Sequence, residues 1–372
     1  MRIRSVPHSS LLILIVASLI SLPLLGVMLN GQRIAPYLEF PPLTHHVQHA
    51  MFSWPVFLGL ALLVAAALAP CVWRILAAIS SRPKPTTEKP LFPSWGWLGV
   101  LLIAFTWWLA WNRFPWFAAF QPFTFTPLWL GYIVVINALR YRVTRTCLLI
   151  NRPRSLLVLF LLSAAFWWWF EYLNRFVQNW YYVGIEDFSP PAYVFYATLS
   201  FSTVLPAVVS TAEWLKASKP LDNAFRSLTE IHVSHPALIG GIVLVLAAAG
   251  LAGIGIWPDA LFPLLWVSPL LIITSLQAML DRGTIFSSIR HGDWRPICVP
   301  ALAGLQCGVF WELWNWHSLA HWEYAIPYVH RFLIFEMPLL GYAGYLPFGL
   351  ECVVVANLFT SRDAQEEGPS SI

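Results

Sequence analysis

Carboxylates set in apolar sequence are the residues of this chain best placed to do chemistry. Five of them, Glu171, Glu213, Glu312, Glu336 and Glu351, fall within or at the ends of hydrophobic runs. An ionisable side chain inside a bilayer costs at least about 2.5 kcal/mol by insertion scales, so each must face protein or water. Glu312 and Asn315 lie three apart, and Pro347 and Glu351 four apart, spacings that put each pair on one helical face. Glu312 is set deepest, flanked by Trp311 and Trp314. A carboxyl withdrawn from water keeps its proton, the state a general acid needs. Glu312 and Glu351 are therefore the leading catalytic positions, with Glu171, Asn174 and Asn315 beside them. For Glu171, Glu213, Glu336 and Glu351 the competing reading is an ordinary glutamate at the membrane interface.

Histidines offer a different chemistry. His317 with His321, and His45 with His49, have the i, i+4 spacing that on a helix brings two imidazoles to one face, the alternative being a metal or haem site there. No other segment adds an Asp or Glu at a fixed spacing, so the sequence assigns no metal and no cofactor. The five cysteines, Cys71, Cys147, Cys298, Cys307 and Cys352, show no C-x2-C spacing and read as small core residues.

The elements that must position these residues are membrane helices. The 372 residues are 58% hydrophobic and 11% charged, against roughly 25% charged in soluble globular proteins. The formal net charge of +4 comes from basic residues dispersed among short loops, which argues against nucleic acid as a partner. Ten apolar stretches follow one another: 9–29, 52–79, 94–112, 123–139, 155–173, 193–215, 237–257, 259–280, 298–316 and 332–359. Each is near the roughly 20 residues that a bilayer requires. The first exceeds the about 7–15 apolar residues of a secretory signal, so it is expected to stay as an anchor. The expected fold is thus all-α: one polytopic membrane domain over 1–372, with about ten helices and a solvated tail at 360–372.

With a cytoplasmic N-terminus, Arg33, Arg113, Arg175 and Arg331 fall outside, and the other 18 of the 22 basic residues fall inside. That division is what the positive-inside rule asks of a cytoplasmic-membrane protein with both termini in the cytoplasm. The 21 tryptophans include interfacial anchors, but runs such as Trp167, Trp168 and Trp169 also place rings where they can line a cavity.

Two stretches resemble each other. Glu171, Asn174, Trp180 and Tyr182 occur in the same order as Glu312, Asn315, Trp322 and Tyr324, with one residue of difference in spacing. Pro206 follows Glu171 by 35 residues, and Pro347 follows Glu312 by 35. A fainter likeness runs from Trp111 to Phe114, with Ala110 at the glutamate position and Pro127 in the next helix. Hairpin repeats are therefore expected near 94–139, 155–215 and 298–359. Pro55, Pro127, Pro206, Pro269 and Pro347 stand in the even-numbered helices, as five hairpins of one ancestry would have them. A proline inside a helix frees a carbonyl and tends to border a cavity.

The repeated unit, an acid near the end of one helix, W-x-Y in the loop and a proline in the next helix, resembles the small membrane lycopene cyclases and related carotenoid-modifying proteins. The likeness rests on Glu171, Trp180, Tyr182 and Pro206, and on Glu312, Trp322, Tyr324, Pro347 and Glu351. That family carries P-x-E-E in the second helix, where this chain has P-A-V-V-S after Pro206 and P-F-G-L-E at Pro347. The resemblance implies non-redox cyclisation of a polyene end group. A glutamic acid would protonate a terminal double bond, and Trp180, Tyr182, Trp311, Trp314, Trp322 and Tyr324, with Pro347, would enclose the cation. The expected partner is a membrane lipid or isoprenoid small molecule; the sequence names no protein partner. A non-enzymatic lipid or pigment scaffold and a transporter are the alternatives.

Overall fold

The computed structural model describes residues 7–42, 44–80 and 90–360. The basic residues Arg2, Arg4, Arg82, Lys84, Lys89 and Arg362, and the tail from 361 onward, lie outside the described residues. Each of the ten apolar stretches contains helix. In chain order the helices are α1 (His8–Leu29), α2 (Trp54–Ser80), α3 (Gly96–Trp111), α4 (Phe125–Thr144), α5 (Leu148–Asn151), α6 (Pro153–Val177), α7 (Pro190–Phe201), α8 (Val204–Lys216), α9 (Lys219–Phe225), α10 (Pro236–Gly253), α11 (Pro258–Leu261), α12 (Ser268–Met279), α13 (Arg295–Asn315) and α14 (Tyr345–Thr360).

By length and apolarity seven of these segments can cross a bilayer, or up to nine if each of two bent pairs is one span. The bends are 67° between Pro115–Phe123 and α4, and 53° between Pro258–Leu265 and α12. The fold is that of a polytopic, helical membrane protein, with seven to nine candidate spans among the described residues against the ten expected. The shortfall lies at α3, whose 16 residues stop short of a full crossing. The last expected stretch also begins differently, because 332–338 is not helical. Leu333–Ile334 (β3) pairs with Met337–Pro338 (β4), and helix follows only from Leu339.

The prolines occupy another place than expected. Pro206 is the third residue of α8, Pro347 the third of α14, Pro127 the third of α4, and Pro55 and Pro269 the second of α2 and α12. In the first turn a backbone N–H has no helical acceptor, so proline there forfeits nothing and frees no carbonyl. What precedes Pro127, Pro206, Pro269 and Pro347 is a break in the helical path. At one break α6 supplies the missing partners: Ser163 Oγ donates to the Phe201 carbonyl at 2.6 Å and accepts from the Leu205 N–H at 3.0 Å.

Consecutive pairs α3 with α4, α6 with α7 and α8, α10 with α12, and α13 with α14 pack side by side. The first pair departs from the hairpin expectation, for α1 lies against α10 and α12, while α2 lies against α9 and the segment Leu339–Gly344. The densest core joins α4, α6, α8, α13 and α14 around Trp129, Trp314, Phe170 and Phe348.

Basic side chains engage polar groups or rings at their own end of the bundle. At one end Arg152 and Arg140 reach Glu213, Arg295 reaches Asp222 and Asp293, and Arg74 reaches the Ser227 carbonyl. At the other, Arg113 reaches the His317 carbonyl, Arg175 the carbonyls of Pro36 and Glu39, and Arg331 stacks over Phe52 and Trp54.

Candidate functional site

The two similar stretches meet. α6 ends at Gln178, whose left-handed backbone (φ 47) returns its N–H to the Asn174 carbonyl and turns the chain into β1, Trp180–Val183. α13 ends at Asn315, and after five residues the chain enters β2, His321–Tyr324. β1 and β2 pair antiparallel, Trp180 opposite Tyr324 and Tyr182 opposite Trp322. Each W-x-Y motif thus lies against the other in reversed order, as a local two-fold relation requires.

An asparagine one turn after each glutamate holds its own strand. Asn174 Nδ2 donates to the Trp180 carbonyl at 2.8 Å, and its Oδ1 accepts from the Asn179 N–H at 2.8 Å. Asn315 Nδ2 donates to the Trp322 carbonyl at 2.6 Å, and its Oδ1 accepts from the Trp322 N–H at 2.8 Å. Both amides are buried, so these bonds have no competition from water.

The glutamates are equally alike. Glu171 Oε1 accepts from Tyr182 O–H at 2.6 Å, Trp167 Nε1–H at 2.9 Å and Trp180 Nε1–H at 3.1 Å. Glu312 Oε1 accepts from Tyr345 O–H at 2.5 Å and Tyr324 O–H at 2.7 Å, and Trp322 Nε1–H donates in turn to the Tyr324 oxygen at 2.7 Å. In both, Oε2 is buried and makes no hydrogen bond to the described residues. Burial, then the neighbouring glutamate, holds the hydroxyls of Tyr182 and Tyr324 well above the ordinary phenol range, so both stay protonated donors.

One donor is exchanged between the two sets. Four residues before Glu171 stands Trp167, whereas four before Glu312 stands Gly308, where an added Cβ would fall 2.2 Å from the Tyr345 ring. The bulk that α6 supplies itself is supplied to α13 by α14. Trp167 and Tyr345 both carry a donor to the carboxylate, and comparison of the two stretches residue by residue misses the match because the donors come from different helices.

These aromatics wall a cavity of about 590 Å³. Trp180, Tyr182, Trp311, Trp322, Tyr324 and Pro347, all expected at a binding site, line it. Trp314 does not: it packs on Trp129, Phe310 and Tyr132 in the core. Glu171, Glu312, Asn174 and Asn315 stand one layer behind the wall, their donors between them and the space. Glu351 is fully buried one turn beyond Pro347, with neither oxygen bonded among the described residues, and it too lies outside the lining. Glu213 forms an ion pair with Arg152, away from the cavity lining. Trp167, from the tryptophan run expected to reach a cavity, also lines it, whereas sequence reasoning passes over Trp266, Tyr193, Asn179 and Tyr345, along with residues of α2.

The histidine pairs do not share helical faces. α13 ends before His317, which is exposed and stacks on Trp316, while His321 is on β2. His45 and His49 lie in non-helical chain. His49 is engaged elsewhere, its Nδ1 2.6 Å from Asp259 Oδ1 and its Nε2 3.2 Å from the Gln178 carbonyl. Among the described residues no group of three or more His, Cys, Asp or Glu is arranged to hold a metal ion.

Comparison with family models, with curated proteins and with solved structures finds no match.

Proposed function

We propose that this chain takes an unsaturated, isoprenoid-like membrane lipid into the aromatic cavity between its two similar stretches. The observation that carries this reading is the cavity itself, a 590 Å³ space in the range of small-molecule sites, walled by indole and phenol rings and apolar side chains. Aromatic faces suit a ligand with its own π-system. Fixing them needs a reason, and the buried glutamates supply it by pinning two or three donors each.

A second reading, the acid chemistry of the membrane lycopene cyclases that the sequence resembles, is favoured by the unpartnered Oε2 in both sets. It requires a proton on Oε2 of Glu171 or Glu312, transferred to a terminal double bond once a ring of the wall turns aside to let the two meet. The carbocation would then close the ring and lose a proton from a neighbouring carbon, so that substrate and product are isomers and the acid is restored. The aromatic wall would stabilise the cation by cation–π attraction.

We place the protein in a cytoplasmic membrane with both termini inside and ten crossings, α3 among them. Its 16 residues reach about 24 Å at 1.5 Å each, near the roughly 30 Å core. The basic end would face the cytoplasm, and common ancestry would account for the likeness of the two site-forming hairpins.

The test is a comparison of lipids and pigments extracted from cells with and without the gene, repeated with Glu171→Gln and Glu312→Gln. Unchanged lipid composition with one lipid co-purifying with the protein supports the binding reading. An isomeric product lost in the deletion and in a Gln variant supports the acid reading, and neither result sinks both.

A further inference from the structure

The cavity wall contains no lysine, arginine, aspartate or glutamate among the described residues. Three helices, α4, α8 and α14, begin at it through Phe125, Val204 and Tyr345, and helix N-termini ordinarily attract anions. Here that attraction is disarmed. Pro127, Pro206 and Pro347 remove one N–H from each first turn, and Ser163 Oγ already occupies the Leu205 N–H. A phosphate in this space would therefore lose its water and find in exchange only the imidazole of His321, whose Nε2 already stands 3.6 Å from a Glu323 carboxylate oxygen.

The space is also in contact with the bilayer's own solvent through one helix. Leu60, Leu63, Val64 and Ala67 of α2, spaced i, i+3, i+4 and i+7, line the cavity. On other faces of the same turns Leu58 and Leu62 are 52% and 70% exposed. α2 is fastened near its ends, by the Ser53 N–H to the Tyr328 carbonyl at 2.9 Å and by Arg74 to the Ser227 carbonyl at 3.2 Å. Between these points its inner face borders the cavity.

Given that the cavity is a lipid site, as proposed above, we infer that its ligand is an electrically neutral lipid and that lipids with a phosphorylated head are excluded. Asn179, 3% exposed, lines the cavity and has a buried Oδ1 with no partner among the described residues. Once the amide turns toward the space, a hydroxyl on the ligand satisfies that acceptor and a bare hydrocarbon does not, so the class is a neutral lipid alcohol.

The experiment uses the full chain in phosphatidylcholine nanodiscs with two tritium-labelled probes, geranylgeraniol and geranylgeranyl diphosphate. The alcohol is expected to bind at one per chain, at least tenfold more tightly than the diphosphate. Ala67→Trp, which fills the cavity from α2, should weaken the alcohol at least tenfold. Leu62→Trp, equal in bulk but facing lipid, should leave it within twofold. Should Ala67→Trp fail to fold, Leu60→Trp replaces it. Diphosphate binding as tight as the alcohol's and sensitive to Ala67→Trp overturns the neutral-lipid inference and leaves the cavity reading standing. Alcohol binding that a folded Ala67→Trp does not change, or no binding of either probe, overturns the cavity reading itself.

Discussion

Replacing Asn174 or Asn315 by alanine puts the equivalence of the two site-forming stretches to a quantitative test. Each amide is buried to 1% exposure or less and makes two close hydrogen bonds to backbone, at 2.8 and 2.8 Å for Asn174 and at 2.6 and 2.8 Å for Asn315. Truncation leaves one N–H and one carbonyl unmade in each case, and at Asn174 also the Trp180 N–H, whose bond to Oδ1 is longer at 3.4 Å. A buried unsatisfied group costs about 1–3 kcal/mol, so either variant should lose about 2–6 kcal/mol, and the two losses should agree within about 1 kcal/mol. The double variant should lose less than the sum by at least about 0.5 kcal/mol, because the clamped strands pair with each other and the second loss falls on a sheet already loosened. Denaturant titration of the solubilised protein, followed by tryptophan fluorescence, measures all three. If one single variant costs over about 2 kcal/mol and the other under about 0.5, the clamps are not equivalent. Strict additivity would mean that β1 and β2 do not join the two stretches energetically.

Three further perturbations separate the contributions of helix packing, the glutamate's donors and the basic end. Gly304→Ala would set a Cβ 2.3 Å from the Tyr345 carbonyl, so α13 and α14 must move apart; a loss of about 1–3 kcal/mol in the same titration is expected. Tyr345→Phe removes the 2.5 Å donor to Glu312 and leaves the ring over Gly308, so melting should shift by the cost of a hydrogen bond to a buried acid, about 1–3 kcal/mol, without opening a cavity. At the basic end, the hydrogen bonds from Arg226 and Arg295 hold Asp222 below the ordinary carboxylate value, and that from Arg295 does the same for Asp293. Their stabilisation is complete above that ordinary value, about 3.9, and is lost as pH falls through the lowered folded value. Melting temperature should therefore be insensitive to these two groups near neutrality and fall below about pH 4. Asp222→Asn should lower the plateau and shrink the fall, and an unchanged acid limb would remove Asp222 from the account.

Much of this site is legible in the amino-acid sequence, and the reason is chemical. A carboxyl, an amide, an indole and a phenol in fixed order are costly to keep in apolar sequence, so two such runs draw the eye. They are the two runs whose strands pair. The helices are legible in existence and less so in extent, since apolarity marks where a chain can meet lipid and says little about where its backbone breaks. Pro206 and Pro347 look like kinks within helices, yet they open new ones after a break. The i, i+4 histidines fail for a related reason, because spacing implies a shared face only where helix continues, and α13 stops at Asn315. The exchange of Trp167 for Tyr345 is illegible because the compensating bulk lies on another helix, 37 residues downstream of Gly308. The contribution of α2 is hidden as well, for its inner and outer faces are equally apolar and periodicity cannot tell a cavity from lipid.

The central claim is that the aromatic cavity holds a membrane lipid. Native mass spectrometry of the purified full chain, beside a variant whose cavity is filled by Val204→Trp, tests it most directly. One apolar lipid bound per wild-type chain and absent from the folded variant is the predicted result. The same bound mass on both proteins, or none on the wild type, would contradict it.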